Sequence, residues 1–276
     1  MILAGKGLIG HPHNAYDARM QNLLFRLRTG IAGLTAAGIG LLFPPRCVFC
    51  DGEILSRHGH LLRLCTDCLA RFGPVSWYGC RRCGGEVSQA IARPERCLHC
   101  RGAPLRFDTV VALGSYHAGL HDAVLRMKRP SQDSLSLAIG RLLAERRREA
   151  LAGLEADLIV PIPMYWSRRL DRGKNSPEML AACLRKSLEI PVDRRVLVRC
   201  RNTYPQAGLP PSQRFKNVRN AFRVSRPDRV KDACVLLVDD VLTTGATCSE
   251  AARMLKQAGA ARVAVAVVAR GTGKTA

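Results

Sequence analysis

The chain has 276 residues, 47% of them apolar and 5% aromatic. That is enough for one large domain or two small ones and excludes gross disorder, while the scarcity of aromatic rings excludes a broad base-stacking platform. Lys and Arg number 43 against 22 acidic residues, a net charge of +21, so the partners expected are polyanions: nucleic acid, nucleotides, pyrophosphate or anionic lipid. An Arg-rich genomic base composition is the rival explanation of that excess.

In chain order, residues 1–30 read as a basic tail with a single acid, Asp17. A helix is expected over 21–43, interrupted by Gly30, Gly33, Gly38 and Gly40 and stopped by Pro44-Pro45. Its apolar part, 31–43, is too short to span a bilayer, and the first residues lack the pattern of a classic signal peptide. Residues 44–103 form a cysteine module, and residues 104–276 an α/β domain. In that second part strands are expected at Val110–Leu113, Asp157–Pro163, Ala233–Val238 and Arg262–Val268. Helices are expected at Leu120–Met127, Ser134–Leu151, Pro177–Leu188 and Ser249–Ala258. Continuous apolar strands alternating with helices predict a parallel sheet with helices on both faces, with ligands at the carboxyl ends of the strands.

Eight of the 12 cysteines fall into pairs: Cys47/Cys50, Cys65/Cys68, Cys80/Cys83 and Cys97/Cys100. Two thiolates at i and i+3 supply half of a tetrahedral site, so the eight suggest two structural Zn2+ ions. The spacing leaves two groupings open, sequential pairs or the first pair with the third. Gly52 and Gly84-Gly85 suit tight knuckles. His99, inside the last knuckle, is expected to be a bystander. Cys183, Cys200, Cys234 and Cys248 read as packed thiols. Paired cysteines without a signal peptide point to a reducing, cytoplasmic setting.

The sharpest signal is Val235-Leu-Leu-Val-Asp-Asp-Val-Leu-Thr-Thr-Gly-Ala-Thr247. An apolar strand runs into two acids, Asp239 and Asp240, which can accept hydrogen bonds from vicinal ribose hydroxyls. Thr243, Thr244, Gly245, Ala246 and Thr247 then lead into a helix whose N–H groups and dipole suit a phosphate. Gly245 is expected to allow close backbone approach, with Gly245→Val abolishing phosphate binding and leaving the fold intact. The segment resembles the phosphoribosyl pyrophosphate motif of type I phosphoribosyltransferases.

Over roughly 41–270 the chain further resembles the ComF (competence protein F) family. The match rests on Leu42-Phe-Pro-Pro-Arg-Cys47, on Leu158-Ile-Val-Pro-Ile-Pro163 with Arg168-Arg-Leu-Asp-Arg-Gly173, and on Thr203-Tyr-Pro-Gln-Ala-Gly-Leu209 with Arg214, Asn217, Val218 and Arg219. Departures are Lys174 and Ser176 where the family has Phe and Gln, Arg129-Pro130 after Lys128, and Pro210-Pro211 after the hood leucine. The resemblance implies a type I phosphoribosyltransferase fold preceded by a double zinc ribbon. It implies displacement of pyrophosphate from ribose C1 with Mg2+, Pro161 and Ile162 in the pyrophosphate-loop region, and a link to competence and the use of external DNA. Lys128 and Arg172 are the expected cations facing the leaving group.

The rival reading is a non-catalytic module for DNA uptake that uses the fold as a ligand sensor and holds single-stranded DNA or competence-machinery proteins. Residues 194–231, with 11 Lys/Arg and one acid, are its expected basic surface. A homodimer is compatible with either reading. His117 and His121, one helical turn apart, and residues 144–149 read as exposed helix faces.

Overall fold

The computed structural model describes residues 44–73, 77–87, 97–173 and 175–271. The tail and helix expected over 1–43 lie outside the described residues, and the chain from Arg46 onward forms one compact unit. Two short helices, α1 (Arg57–Leu62) and α2 (Thr66–Arg71), belong to the cysteine-rich part. There follow β1 (Thr109–Ser115), α3 (Ala118–Met127), α4 (Asp133–Arg146), α5 (Arg148–Ala152), β2 (Leu158–Pro161), α6 (Trp166–Arg172) and α7 (Ser176–Leu188). The chain closes with β3 (Leu197–Arg199), α8 (Pro211–Val218), β4 (Phe222–Val224), β5 (Cys234–Leu242), α9 (Ala246–Gln257) and β6 (Arg262–Arg270).

The main sheet has the order β1-β6-β5-β2 and is parallel throughout. Its strands are buried on both faces, which is why they read as unbroken apolar runs. Alternation divides each strand between two cores. Leu236 and Val238 of β5 join Ala264, Ala266 and Val268 of β6 on one face. Val235 and Leu237 join Val263, Val265 and Val267 on the other. The first core also contains Cys47, Phe49, Leu64, Cys65, Cys68 and Phe72, so the first half of the cysteine module is packed into the same interior as the sheet. Among the described residues no helix is long and apolar enough to cross a membrane.

Three expectations change. Strand β5 runs beyond Val238 to Leu242 because β6 is equally long and pairs with it through Asp239, Val241 and Leu242. The helix expected over Ser134–Leu151 breaks at Arg147, whose φ of −115° and ψ of 20° leave the helical region. Arg147 is also buried, and Ala144 with it, which corrects the exposed face expected over 144–149. The guanidinium turns inward and donates from Nε to Ala112 O (3.0 Å) and from Nη2 to Leu113 O (2.6 Å), fastening the α4–α5 joint to β1. The basic stretch 194–231 has regular structure of its own. It holds the antiparallel ribbon β3–β4 and α8, whose first residue, Pro211, occupies the position where a missing N–H costs nothing.

Arg147→Met removes those donors and leaves two buried carbonyls to find other partners. At about 1–3 kcal/mol for a buried group left unsatisfied, urea unfolding should show a loss in that range, with the α/β core still folding.

Candidate functional site

Strand β5 carries the two acids to the carboxyl end of the sheet. Its pairing with β6 on one side and β2 on the other fixes their height. Asp240 is met by Lys128, the residue that caps α3, at 3.4 Å between Nζ and Oδ2. The charge of Asp240, with that of Asp239 behind it, raises the Lys128 pKa. Asp239 Oδ1 accepts from the Asp240 N–H at 2.9 Å, and its Oδ2 lies 3.7 Å from the Cys248 thiol, which donates to it. Burial and the neighbouring charge of Asp240 push the Asp239 carboxyl up to about 7, against partial relief from Lys128 and Arg199. Burial and Asp239 also hold the Cys248 thiol well above its ordinary value.

Past Leu242 the loop turns at Gly245, with φ +80°, and α9 begins at Ala246. Thr244 Oγ1 accepts from Ala246 N–H at 3.4 Å. From the hood, Arg214 donates to Thr243 Oγ1 at 2.9 Å. Gly245 is required for a reason other than ligand approach. It is buried, its φ lies in the left-handed region, and a Cβ there would stand 2.8 Å from Leu105 Cδ2. A valine at 245 therefore strains the loop itself, which corrects the expectation that the fold is indifferent to it.

Pro161 pairs with Val238, and the Ile162 N–H donates to Val238 O at 2.8 Å, so both lie beside β5 at its carboxyl end. Asn175 holds the Ile162 carbonyl at 2.9 Å, and Ser176 donates to Met127 O at 3.1 Å, next to Lys128. Arg172 ends α6; its side chain lies outside the described part.

Two arginines without a sequence signal belong here. Arg199 of β3 donates to Thr203 Oγ1 at 2.6 Å and lies over the Phe222 ring, while its buried Nε has no partner. Its charge acts on Asp239. Arg270, at the end of β6 and 5% exposed, donates to the carbonyls of Cys83 (2.5 Å), Leu242 (3.0 Å) and Thr243 (2.5 Å), and to that of Gly271. It ties the second cysteine site to the first residues of the Thr243–Thr247 loop.

The cysteines gather as two sequential groups, Cys47/Cys50/Cys65/Cys68 and Cys80/Cys83/Cys97/Cys100, the Sγ atoms of each within 4.8 Å of one another. This settles the grouping that spacing left open. A zinc with bonds of about 2.3 Å places its four sulfurs about 3.8 Å apart. The measured separations are 3.5 Å for Cys50–Cys65, 3.9 Å for Cys80–Cys100 and 3.7 Å for Cys83–Cys97, so both donor sets fit Zn2+. The knuckles are built alike. Cys47 N–H reaches Gly52 O and Cys80 N–H reaches Gly85 O, each at 2.8 Å. The left-handed residue is Asp51 in one and Gly84 in the other; Gly52 does not carry that turn.

His99 is a bystander with its Nε2 3.1 Å from Glu86 O. His117 caps α3, and His121 meets Asp122 at 3.1 Å; among the described residues neither joins a metal-binding cluster. Cys183, Cys234 and Cys248 are packed as expected, but Cys200 is exposed.

Residues 167–276 match the phosphoribosyl transferase domain family and residues 38–101 the double zinc ribbon domain family. Competence protein F of Haemophilus influenzae is 30% identical over 230 residues, covering 82% of this chain and 96% of the relative. The DNA utilization protein YhgH of Salmonella typhimurium is 29% identical over 230 residues and that of Escherichia coli (strain K12) 28% over 228, with the same shares covered. A solved structure described as the allosteric regulatory enzyme of purine biosynthesis aligns with 54% of this chain at 23% identity and TM-score 0.36, and the chain spans 30% of its length.

Elemental analysis of the protein purified from a reducing cytosol should find two zincs per chain. Cys47→Ser, which opens the shared core, should lose one of them and lower the melting temperature by roughly 6–12 °C, as a loss of about 3 kcal/mol would in a chain of this size. Retention of both zincs would contradict the donor assignment.

Asp239 yields a second expectation. The folded protein holds its proton to about pH 7, whereas the ordinary carboxyl value is 3.8. The folded state therefore binds the extra proton between those values, and stability falls as pH rises through them. Asp239→Asn should match the parent below about pH 4 and exceed it above about pH 7. At about 1.4 kcal/mol per pKa unit, the rise from 3.8 to about 7 puts the gain on the order of 4 kcal/mol. Denaturant titrations at the two extremes check it.

Proposed function

The chain belongs to the competence protein F family, which joins a double zinc ribbon to a phosphoribosyl transferase domain of type I fold, and from that premise we propose that it binds Mg2+–phosphoribosyl pyrophosphate and displaces pyrophosphate from ribose C1. The observation that carries this reading is the Asp239–Asp240 pair at the end of β5, with Lys128 3.4 Å from Asp240 and the Thr243–Thr247 loop leading into α9. The loop and the first turn of α9 offer N–H groups to the 5′-phosphate. The acids face the ribose hydroxyls. Lys128 stands where a cation can meet the pyrophosphate as it leaves C1 with its bonding electrons, and the acceptor adds to the same carbon.

Mg2+ fits this donor set because burial and the like charge of Asp240 lift Asp239 to about 7 even with Lys128 and Arg199 acting on it, so the pair carries negative charge that those two cations do not fully offset. When bound, the ion would neutralise pyrophosphate and polarise the ribose hydroxyls. Asp239 and Asp240 are the groups that would hold it. The thiol-rich zinc sites support a cytoplasmic setting.

The rival reading keeps the ligand and omits turnover. In its favour, Arg214 of the hood touches Thr243 of the loop at 2.9 Å, so a ligand there is felt by the basic segment above. Under that reading the occupied site gates contact with single-stranded DNA or a competence-machinery partner.

Calorimetry with phosphoribosyl pyrophosphate and Mg2+ should show binding, and a pyrophosphate-release screen over nucleobases then separates enzyme from sensor. Asp240→Asn should weaken binding by about 1–3 kcal/mol, the scale of a lost charged hydrogen bond, and reduce its Mg2+ dependence while ribose 5-phosphate still binds. Thr247→Val, which keeps the shape of the loop, should weaken both ligands. Undiminished binding by both variants would remove the site from β5.

A further inference from the structure

Below the ligand loop, where Leu105 and Phe107 back onto Gly245, lies an open cleft of about 670 Å³ between the second zinc knuckle and the last turns of α9. Five cations line it. Arg81 and Arg82 come from the tip of the knuckle, between Cys80 and Cys83. Arg106 comes from the segment before β1, and Arg253 and Lys256 from α9. Asp108 is its one acidic lining residue, and that carboxylate is already engaged by Lys256 at 2.5 Å and by the Val263 N–H at 2.8 Å. Arg253 is forked onto Glu250. Arg81, Arg82 and Arg106 make no ion pair with any described residue.

The knuckle presents these groups on a fixed frame. The Val110 N–H donates to Arg81 O at 2.8 Å, and Arg270 holds Cys83 O at 2.5 Å. Guanidinium forks suit phosphate oxygens, and several of them spread along an open cleft suit several phosphates in a row. The aromatic ring in the wall, Phe107, is 3% exposed, so bases have nothing to stack on and contact runs through the backbone.

In the stretch that looks most basic in sequence, more than half of the arginines already have partners. In the hood, Arg199 is taken up by Thr203, Arg201 by the carbonyls of Asn217 and Arg219, Arg214 by Leu209 and Thr243, and Arg226 and Arg229 by Asp193. Those contacts hold the segment together, while Arg195, Lys216, Arg219, Arg223 and Lys231 stay on its exposed surface.

We propose that the cleft between the second zinc knuckle and α9 binds a linear chain of phosphates through its backbone, without reading sequence. The phosphodiester strand of a nucleic acid and inorganic polyphosphate present the same chemistry, and the test separates them. The site does not depend on ligand binding at Asp239 and Asp240, so either assignment can fail alone.

The probes are a labelled single strand of about 20 deoxythymidines, followed by anisotropy with the full zinc-loaded chain, and unlabelled polyphosphate and pyrophosphate as competitors. Arg81→Glu with Arg106→Glu should weaken strand binding at least about 10-fold. Arg148→Glu with Lys186→Glu, exposed residues on α5 and α7, makes the same change in net charge elsewhere and should cost less than about 3-fold. The slope of log affinity against log salt should become shallower by about 1.4 in the first pair, two contacts at about 0.7 each on a single strand. Zinc content and phosphoribosyl pyrophosphate binding should stay at the parent's level. If the Glu pair loses zinc, Arg81→Gln with Arg106→Gln takes its place. Competition by polyphosphate at equal phosphate concentration identifies charge alone as the ligand feature; its failure identifies the nucleic-acid strand. Equal losses in the two charge-reversed pairs, no strand or polyphosphate binding at low salt, or displacement by pyrophosphate as effective as by the chains would each overturn the proposal.

Discussion

The guanidinium of Arg270 joins the second knuckle to the end of β5 and to the loop that follows it. It is buried, and its hydrogen-bond partners are carbonyls: Cys83 in the second knuckle, Leu242 and Thr243 where β5 becomes the ligand loop, and Gly271 beside it. A buried cation without a carboxylate is tolerable only when its donors are satisfied, since unpaired charge in the interior is costly. The knuckle supplies one of those carbonyls, and it keeps its shape only while four thiolates are gathered. The geometry of the loop is thereby linked to a cysteine site far from it in sequence.

The two cysteine sites repeat one local design and do different work. Each begins with an antiparallel bridge, Arg46 to Glu53 and Gly79 to Glu86, around the first pair of thiols. The first site then sinks into the main core. Phe49 packs edge-on to Phe72, and Arg126 lies 4.7 Å from the centre of the Phe49 ring. The second forms a small cluster of its own and leans on β1 and β6 through hydrogen bonds. The first is a component of the interior, the second a strut between the interior and the cleft lined by Leu105 and Phe107.

At the end of β5 the fold accepts an unfavourable pair of charges. Two carboxylates follow one another in a buried strand, one of them driven to about 7, with Lys128 as the compensating cation on one side and Arg199 on the other. Such a cost in the free protein is what a site built for a cationic or hydroxyl-rich ligand is expected to carry. Ser176, where the family resemblance leads one to expect Gln, has a local account: its hydroxyl donates to the Met127 carbonyl beside Lys128. Lys174 lies outside the described residues.

Much of this was legible in the sequence because it is local. Burial on both faces made β1, β5 and β6 readable as apolar runs, i/i+3 thiols announced half a metal site each, and Asp239-Asp240 with the threonine loop marked the candidate site. Strand length was misjudged at Val238 because the pairing that carries β5 to Leu242 is supplied by β6, more than 20 residues away. The grouping of the four thiol pairs, the inward turn of Arg147, the arrival of Arg199 at Asp239 and the reach of Arg270 to Cys83 were decided only in three dimensions. In this Arg-rich chain a guanidinium that holds the fold together and one that waits for a phosphate are written with the same letter. What separates them is whether a carbonyl or carboxylate from a distant segment arrives within hydrogen-bonding distance, and that is a property of the packed chain.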